Sequence, residues 1–456
     1  MSRDPRHLEG GRLEERLPDK KPRYDAAEAR FEAYRCIYCS DAPCVQACPT
    51  GIDIPTFIHK LSTGNVRGAA RTIFEENLLG RSCARVCPVE VLCAGSCVVG
   101  EWGREPIAIG RLQRFATEAA LELDPALLAP RRLPKTGKRI ALIGAGPASL
   151  ACAGQLALDG HEAVILEMRD IPGGLNTYGI APYKMQAEDA LREVEFIESL
   201  GSIEIRTGVQ VVAQAQAQAD APRGTQLSAA SLLADFDAIF IGIGLGPDSA
   251  LGIPGEEGEG VMGATALIER IKRDPSFSLE GVRAAAIIGG GNTAIDAARE
   301  LALLGVPEVV MIYRRGSERM SGYVHEMAKA RQEGVRLIEA RQPVEVLREQ
   351  GKLVGLRLAE TVDGEPQPGA TQTLRCDLVA TAIGQARLTE LAAAFEGVEL
   401  DARGRVRIEE SSCRTGHPLV YAGGDCVNGG KEVVNAAQHG KLAARAITRT
   451  FSEGAG

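Results

Sequence analysis

Eight of the twelve cysteines fall in the first hundred residues, in two tight groups. The first is Cys36, Cys39, Cys44 and Cys48, followed by Pro49; the second is Cys83, Cys87, Cys93 and Cys97, with Pro88 after Cys87. Eight thiolates are what two [4Fe–4S] clusters need, at four each. Such a pattern fixes the folding of its loops, because every ligand must reach its cluster.

Other uses of the thiols fit less well. Disulfides belong to oxidising compartments, and the opening MSRDPRHLEG has no apolar export segment. Structural zinc usually takes C-x2-C pairs a dozen or more residues apart. Here four cysteines crowd into residues 36–48. That crowding resembles the ferredoxin run, in which the fourth cysteine serves the other cluster.

The chain has 456 residues, enough for about three domains. A net charge of −8 argues against nucleic acid or an anionic membrane as the main partner. No apolar run approaches the roughly 20 residues of a membrane span. The expected location is the cytoplasm, where thiols stay reduced.

Residues 1–30 read as a polar, partly mobile lead-in, and 31–125 as helical, with Ile54–Leu61, Arg67–Phe74 and Ile107–Leu123 between the cysteine loops. A basic linker, Arg131–Lys135, leads to the apolar strand Arg139–Ile143, a glycine turn, a helix and a second strand at Ala163–Leu166. The theme returns at Ala284–Ile288, with a helix at Ala294–Leu304 and a strand at Val309–Tyr313. Phe236–Gly244 and Asp377–Gly384 read as two crossings between domains, and Leu419–Asp425 as the return to the first. Gln214–Thr225 reads as a surface hairpin. The expected fold is therefore α/β: an all-α iron–sulfur domain (1–134) before two Rossmann-like dinucleotide-binding domains. The second (261–375) is inserted in the first (135–260 and 376–456).

Gly144-Ala-Gly146-Pro147-Ala-Ser149 is G-x-G-x-x-S: a tight turn, a close backbone approach to a pyrophosphate, and a helix N-terminus. Glu167 ends the next strand, where a carboxylate grips ribose hydroxyls. Gly173-Gly174-Leu175 is another close-approach turn, and Asp425 suits a ribityl hydroxyl of a flavin unless it is a helix cap. The helix opened by Gly429–Val434, running to about Ile447, would favour negative charge on the flavin N1/O2 side. The second turn, Gly289-Gly290-Gly291-Asn292-Thr293-Ala294, is followed by a strand ending in Tyr313-Arg314-Arg315. An acid there suits NAD; adjacent arginines suit the 2′-phosphate of NADP, unless they pair with Glu318.

From about residue 30 onward the chain resembles the small subunit of bacterial dihydropyrimidine dehydrogenase and, more distantly, that of glutamate synthase. The likeness lies in Cys36–Pro55, Gly144–Ser149, Gly289–Asp296 and Gly423–Asn435. It implies crossed ligation: Cys36, Cys39, Cys44 and Cys97 for one cluster, and Cys48, Cys87, Cys93 and the side-chain oxygen of Gln113 for the other. Cys83 then becomes a spectator, whereas counting alone makes it the eighth ligand. An FAD site is implied at Gly144, Gly146, Pro147, Ala148, Glu167, Gly174, Leu175, Lys184, Val211, Gly424, Asp425 and Val433. An NAD(P) site is implied at Gly290, Gly291, Asn292, Thr293, Ala294, Arg314 and Arg315. Lys184 stands where the animal enzyme has an arginine, and Arg315 where it has lysine.

The family likeness implies an electron-input subunit: NADPH or NADH reduces FAD, and electrons pass through two [4Fe–4S] clusters to a larger FMN-containing partner that reduces uracil or thymine. No residue of this chain is assigned a catalytic role. An FMN barrel would need about 250 further residues. The rival readings are a glutamate synthase small subunit and a non-enzymatic redox-sensing module. Thioredoxin reductase needs a C-x-x-C in its nucleotide domain, and none occurs between Gly289 and Cys376.

Overall fold

The computed structural model describes residues 8–123, 132–213 and 225–453. Its N-terminal part is helical, with helices Ala26–Tyr34, Ile54–Ser62, Val66–Glu76, Gly80–Val86 and Ile109–Leu123 joined by cysteine loops. Local chemistry sets the starts. Asp25 and Glu28 form a reciprocal capping box, while Asp53 and Asn65 cap the next two helices through their side chains.

Two parallel sheets follow. The strands are β1 (Arg139–Ile143), β2 (Glu162–Glu167), β3 (Ile203–Thr207), β4 (Val209–Val212), β5 (Thr225–Ser228), β6 (Ala238–Ile241), β7 (Val261–Gly263), β8 (Ala284–Ile288), β9 (Glu308–Tyr313), β10 (Arg336–Glu339), β11 (Arg341–Glu349), β12 (Lys352–Val362), β13 (Glu365–Arg375), β14 (Leu378–Thr381) and β15 (Val420–Ala422). The first sheet runs β15-β6-β1-β2-β3 and the second β10-β9-β8-β14-β7. The second is thus inserted between β6 and β15 of the first. β1, β2, β8 and β9 are nearly all apolar because helices or the antiparallel β11-β12-β13 sheet cover both faces.

Several expectations change here. β14 pairs with β8 and β7, so Leu378–Thr381 belongs to the second sheet and the return to the first comes after it, not at residue 376. The two crossings meet: Gly246 N–H donates to Ala386 O at 2.8 Å, and Ala386 N–H donates to Pro247 O at 2.9 Å. The expected hairpin at 214–225 lies almost wholly outside the described residues. Its flanks β4 and β5 pair in parallel, so they are not the arms of a hairpin. The described part of the lead-in is anchored rather than mobile. Leu13 and Leu17 are buried in the core of the second sheet, and Glu14 accepts a hydrogen bond from Ala187 N–H at 3.1 Å.

The helical part is fused to the first sheet. Phe74, Leu78, Leu79 and Cys83 share one core with Ile140, Leu142, Cys152 and Ile447. Lys441, in the C-terminal helix Val433–Glu453, donates to Thr50 O at 2.7 Å and pairs with Glu76 at 2.8 Å. A shared core of this kind holds the cysteine loops at a fixed distance from the first nucleotide turn.

Candidate functional site: a two-nucleotide cleft beside paired cysteine sets

A single cleft of about 2150 Å³ runs between the C-terminal ends of the two parallel sheets. That is the usual place for ligands in such sheets, and the volume exceeds what one small molecule needs. Both glycine turns open into it. Gly144 has φ +86°, and a Cβ there would lie 2.8 Å from Gly242 O. Gly174 has φ +55°, and its Cβ would lie 2.7 Å from the Gly146 Cα. Only glycines allow the two turns to face each other so closely, which leaves backbone N–H groups for a pyrophosphate.

Glu167 is buried at the end of β2 and accepts from Ala145 N–H at 2.7 Å and Arg169 N–H at 2.8 Å. Burial raises its pKa despite those bonds. Asp425 is not a cap: Gly424 holds that position, while Asp425 Oδ1 accepts from Lys431 N–H at 3.2 Å. Burial raises this carboxyl too. Pro147, Ala148, Leu175, Val211, Gly424 and Val433 line the same cleft. This cradle of glycines and buried acids fits an FAD.

Across the cleft, Gly290, Gly291, Asn292 and Thr293 form the second turn, and the helix starts at Asn292, two residues earlier than expected. Ala294 does not border the cleft; its methyl is fully buried in the second sheet's core. Arg314 and Arg315 line the cleft beyond β9. Glu318 approaches Arg319 at 3.9 Å instead, and Arg315 Nε is buried without a hydrogen-bond partner. These guanidinium groups fit an anionic nucleotide. Lys184 joins the two halves, with Nζ 2.7 Å from Asp296 and 3.5 Å from Glu326. Burial lowers its pKa, but the two carboxylates outweigh burial and hold it up.

The cysteines form two sets. Burial raises the Cys36 thiol, and neighbouring Cys97 and Cys39 add to the rise. Cys44 is pushed up to about 11 by burial, then by Cys36, Cys97 and Cys39. Those four thiols therefore lie near one another. In the other set, a hydrogen bond with Cys83, burial and the nearness of Cys48 raise Cys87, while burial, Cys87 and Cys48 raise Cys93. Gln113 is buried nearby, its Nε2 donating to Gly80 O at 2.7 Å. Such crowding of neutral thiols is relieved when they ligate a cationic centre as thiolates. Among the described residues, no three His, Cys, Asp or Glu side chains converge as a single metal ion demands. The donor set, free thiols gathered in two groups, is the one that iron–sulfur clusters take.

Cys87 lines the nucleotide cleft, with Pro88, Val91 and Leu92. Lys21 Nζ bridges to Cys87 O at 3.1 Å. Cys87 thus brings the second cysteine set to the cleft wall, and none of Cys36, Cys39, Cys44 and Cys97 lines the cleft. Sequence reasoning missed Lys21, Asp296, Tyr323, Glu326, Arg387 and Glu432 as cleft residues. Only Asp296 and Glu432 fall in the stretches that carry the family likeness. The others come from segments without a motif.

Comparison with known proteins agrees with this geometry. Residues 14–124 match the model for dihydropyrimidine dehydrogenase domain II, 4Fe-4S cluster, and residues 138–440 match that for pyridine nucleotide-disulphide oxidoreductase. The chain is 34% identical over 440 residues to the NAD-dependent dihydropyrimidine dehydrogenase subunit PreT of Escherichia coli, covering 96% of this chain and 98% of that one. It is 32% identical over 451 residues to the glutamate synthase [NADPH] small chain of the same organism, covering 93% and 92%. Thioredoxin reductase of T. acidophilum superposes with a TM-score of 0.53 at 22% identity, over 69% of this chain and 98% of that one, a likeness of fold. No helix among the described residues is long and apolar enough to cross a membrane. The cofactors that go with these domains are FAD, NAD(P)H and iron–sulfur. The chain belongs to the pyridine nucleotide-disulphide oxidoreductase family, as an NAD(P)-dependent oxidoreductase with an N-terminal 4Fe-4S domain of the dihydropyrimidine dehydrogenase kind.

Proposed function

We propose that this chain is the electron-input subunit of a dihydropyrimidine dehydrogenase, serving a larger FMN-containing partner that reduces uracil or thymine. The single observation that carries this reading is the position of Cys87 on the wall of the cleft that both nucleotide turns share. A hydride acceptor placed there lies next to Cys87 of one cysteine set, while no cysteine of the other set lines the cleft. Flavin chemistry supplies the step from a hydride to single electrons. The chain itself supplies position. Gly144, Gly146 and Gly174 bring backbone N–H groups to the pyrophosphate, Glu167 and Asp425 hold ribose and ribityl hydroxyls, and Lys184 ties the nicotinamide side to the flavin side.

The ligand sets belong to the proposal: Cys36, Cys39, Cys44 and Cys97 for the outer cluster, and Cys48, Cys87, Cys93 and Gln113 for the inner one. With Nε2 of Gln113 engaged by Gly80 O, its oxygen is the atom left for iron. In this arrangement Cys83 is the hydrogen-bond partner of the Cys87 thiol. Arg314 and Arg315 favour NADPH as donor. We place the functional units at 1–134, 135–260 with 382–456, and 261–381.

A second reading, a glutamate synthase small subunit, draws on the 32% identity to that chain. Co-expression with candidate large subunits, then assay of NADPH and NADH against uracil and against glutamine plus 2-oxoglutarate, separates the two. Pyrimidine reduction by the complex is the expected result; activity with neither pair overturns both subunit readings. The as-isolated spectrum tests the redox-module alternative, which requires a protein without flavin absorption.

A further inference from the structure

Glu432 poses a charge problem. It directly precedes the helix Val433–Glu453 on the flavin side of the cleft. A helix N-terminus stabilises negative charge, which suits a flavin that gains a hydride. A carboxylate at the same place opposes that charge, and it does so from a partly enclosed site where repulsion is poorly screened.

The structure shows how this carboxylate is held. Glu432 Oε1 accepts from Tyr323 Oη at 2.7 Å, a bond that crosses the cleft between the two sheets. Tyr323 is itself pinned to the second nucleotide turn, its N–H donating to Asn292 Oδ1 at 2.9 Å. The Tyr323 ring stacks on His325 at 5.5 Å between centroids, and His325 Nε2 lies 3.5 Å from Glu90. The charged or titratable groups facing Glu432 are therefore Tyr323, Lys184, Asp296 and Asp425. Burial raises the Glu432 carboxyl above the ordinary range; Asp296 and Asp425 add to the rise, while Tyr323 and Lys184 oppose it.

We propose that Glu432 is the proton-coupling group of the flavin site: it takes one proton from solvent when the flavin is reduced and returns it when the electrons leave. In the forward step the nicotinamide C4–H bond breaks and its hydride forms the flavin N5–H bond. The added negative charge draws a solvent proton onto the Glu432 carboxylate. When two electrons pass singly to the iron–sulfur centres, the N5 proton and the Glu432 proton both go to solvent. The repulsion then never builds up, and the Tyr323 bond informs the second nucleotide turn of the flavin's charge. This step rests on the flavin lying against the Glu432 wall.

Spectroelectrochemical titration of the holoprotein's flavin across pH tests it. The wild type is expected to take up two protons per two electrons between the two affinities of Glu432, and Glu432→Gln only one, so the slope of midpoint potential against pH falls about twofold. Tyr323→Phe removes a donor that favours the carboxylate, so it keeps the two-proton slope and moves it to higher pH. Equal slopes for wild type and E432Q at every pH overturn the proposal while leaving the flavin site standing. If E432Q fails to fold, an unmoved pH profile in Y323F overturns it. Protein that carries no flavin overturns both.

Discussion

Gly144–Ser149 and Gly289–Ala294 each leave a central parallel strand and open a helix, yet their surroundings differ in kind. At the first turn, Gly174 and Gly424 close in from other segments, and Glu167 is buried with its oxygens already engaged by backbone N–H groups. At the second, the crowding sits at the start of the turn: a Cβ at Gly289 would lie 2.4 Å from Ala382 O and one at Gly290 2.6 Å from the Tyr313 ring, while one at Gly291 would meet only Ser321 Oγ, at 3.6 Å. Arg314 is exposed and Arg315 Nε has no hydrogen-bond partner. The first turn is thus closed in by other segments with a buried carboxylate, while the second leaves its last glycine open and has two arginines beside it on the cleft wall. The same backbone motif therefore stands in differently charged and differently crowded surroundings.

The largest expected effect comes from crowding the enclosed turn. Gly174→Ala forces a side chain into left-handed backbone and against Gly146, a strain of about 1–3 kcal/mol before the overlap is counted. FAD content of the purified protein is expected to fall at least about tenfold. Gly291→Ala is expected to leave FAD content unchanged and to raise only the nucleotide KM. Equal flavin loss in both variants breaks the contrast.

Next in size is the donor specificity of the open turn. Reversing Arg314 and Arg315 to glutamate removes charge-assisted hydrogen bonds to a 2′-phosphate. The kcat/KM for NADPH is expected to drop roughly 10–100-fold, with NADH changing less than about threefold. An equal loss for both donors would mean that the arginines serve the fold instead.

The two halves meet at the N-terminal strap, where the comparison can be sharpened by pH. Burial pushes Glu14 up to about 7 and Lys272, beside it, down to about 8. Lys272 Nζ donates to the carbonyls of Asn176, Ile180 and Met185 at 2.9–3.0 Å, linking the second half to the first. The folded state keeps the Glu14 proton that the unfolded chain releases near 4.5. Its contribution is therefore full below pH 4.5 and lost as pH rises through 7. Thermal melts of wild type are expected to lose on the order of 1–3 kcal/mol across that window relative to Glu14→Gln. A parallel pair of pH profiles would show that the strap's carboxyl does not titrate there.

The smallest effect expected is that of Glu167→Gln. The amide keeps the shape but weakens acceptance from Ala145 N–H and Arg169 N–H, costing about 1 kcal/mol, or roughly fivefold in FAD affinity. Equilibrium dialysis of the deflavinated protein measures it.

Much of this arrangement was legible in one dimension. β1 and β8 are apolar runs that each end in a glycine turn, because strands covered on both faces cannot alternate. Cysteine spacing marked the helical part because four thiols crowd into residues 36–48 and four more into 83–97. The N-terminal lead-in reads as partly mobile in sequence, since a polar segment gives no sign that Leu13 and Leu17 find the second sheet's core. Ala294 was assigned to the nucleotide by its motif, yet the helix turns its methyl into the core. Tyr323 had no signal at all: its role depends on a carboxylate 109 residues away.

The sequence by itself determined the units of this protein, namely two glycine turns on parallel strands and two runs of four cysteines, because each is a short local pattern; which cysteines of the two runs come together was decided by the fold. Only the tertiary structure decided how they are joined. It placed Cys87 on the wall of the nucleotide cleft, packed Phe74 and Leu79 into the core of the first sheet, and set Tyr323 across from Glu432. Those contacts pair distant segments through burial and hydrogen bonding, and such terms depend on where the whole chain folds rather than on any local run.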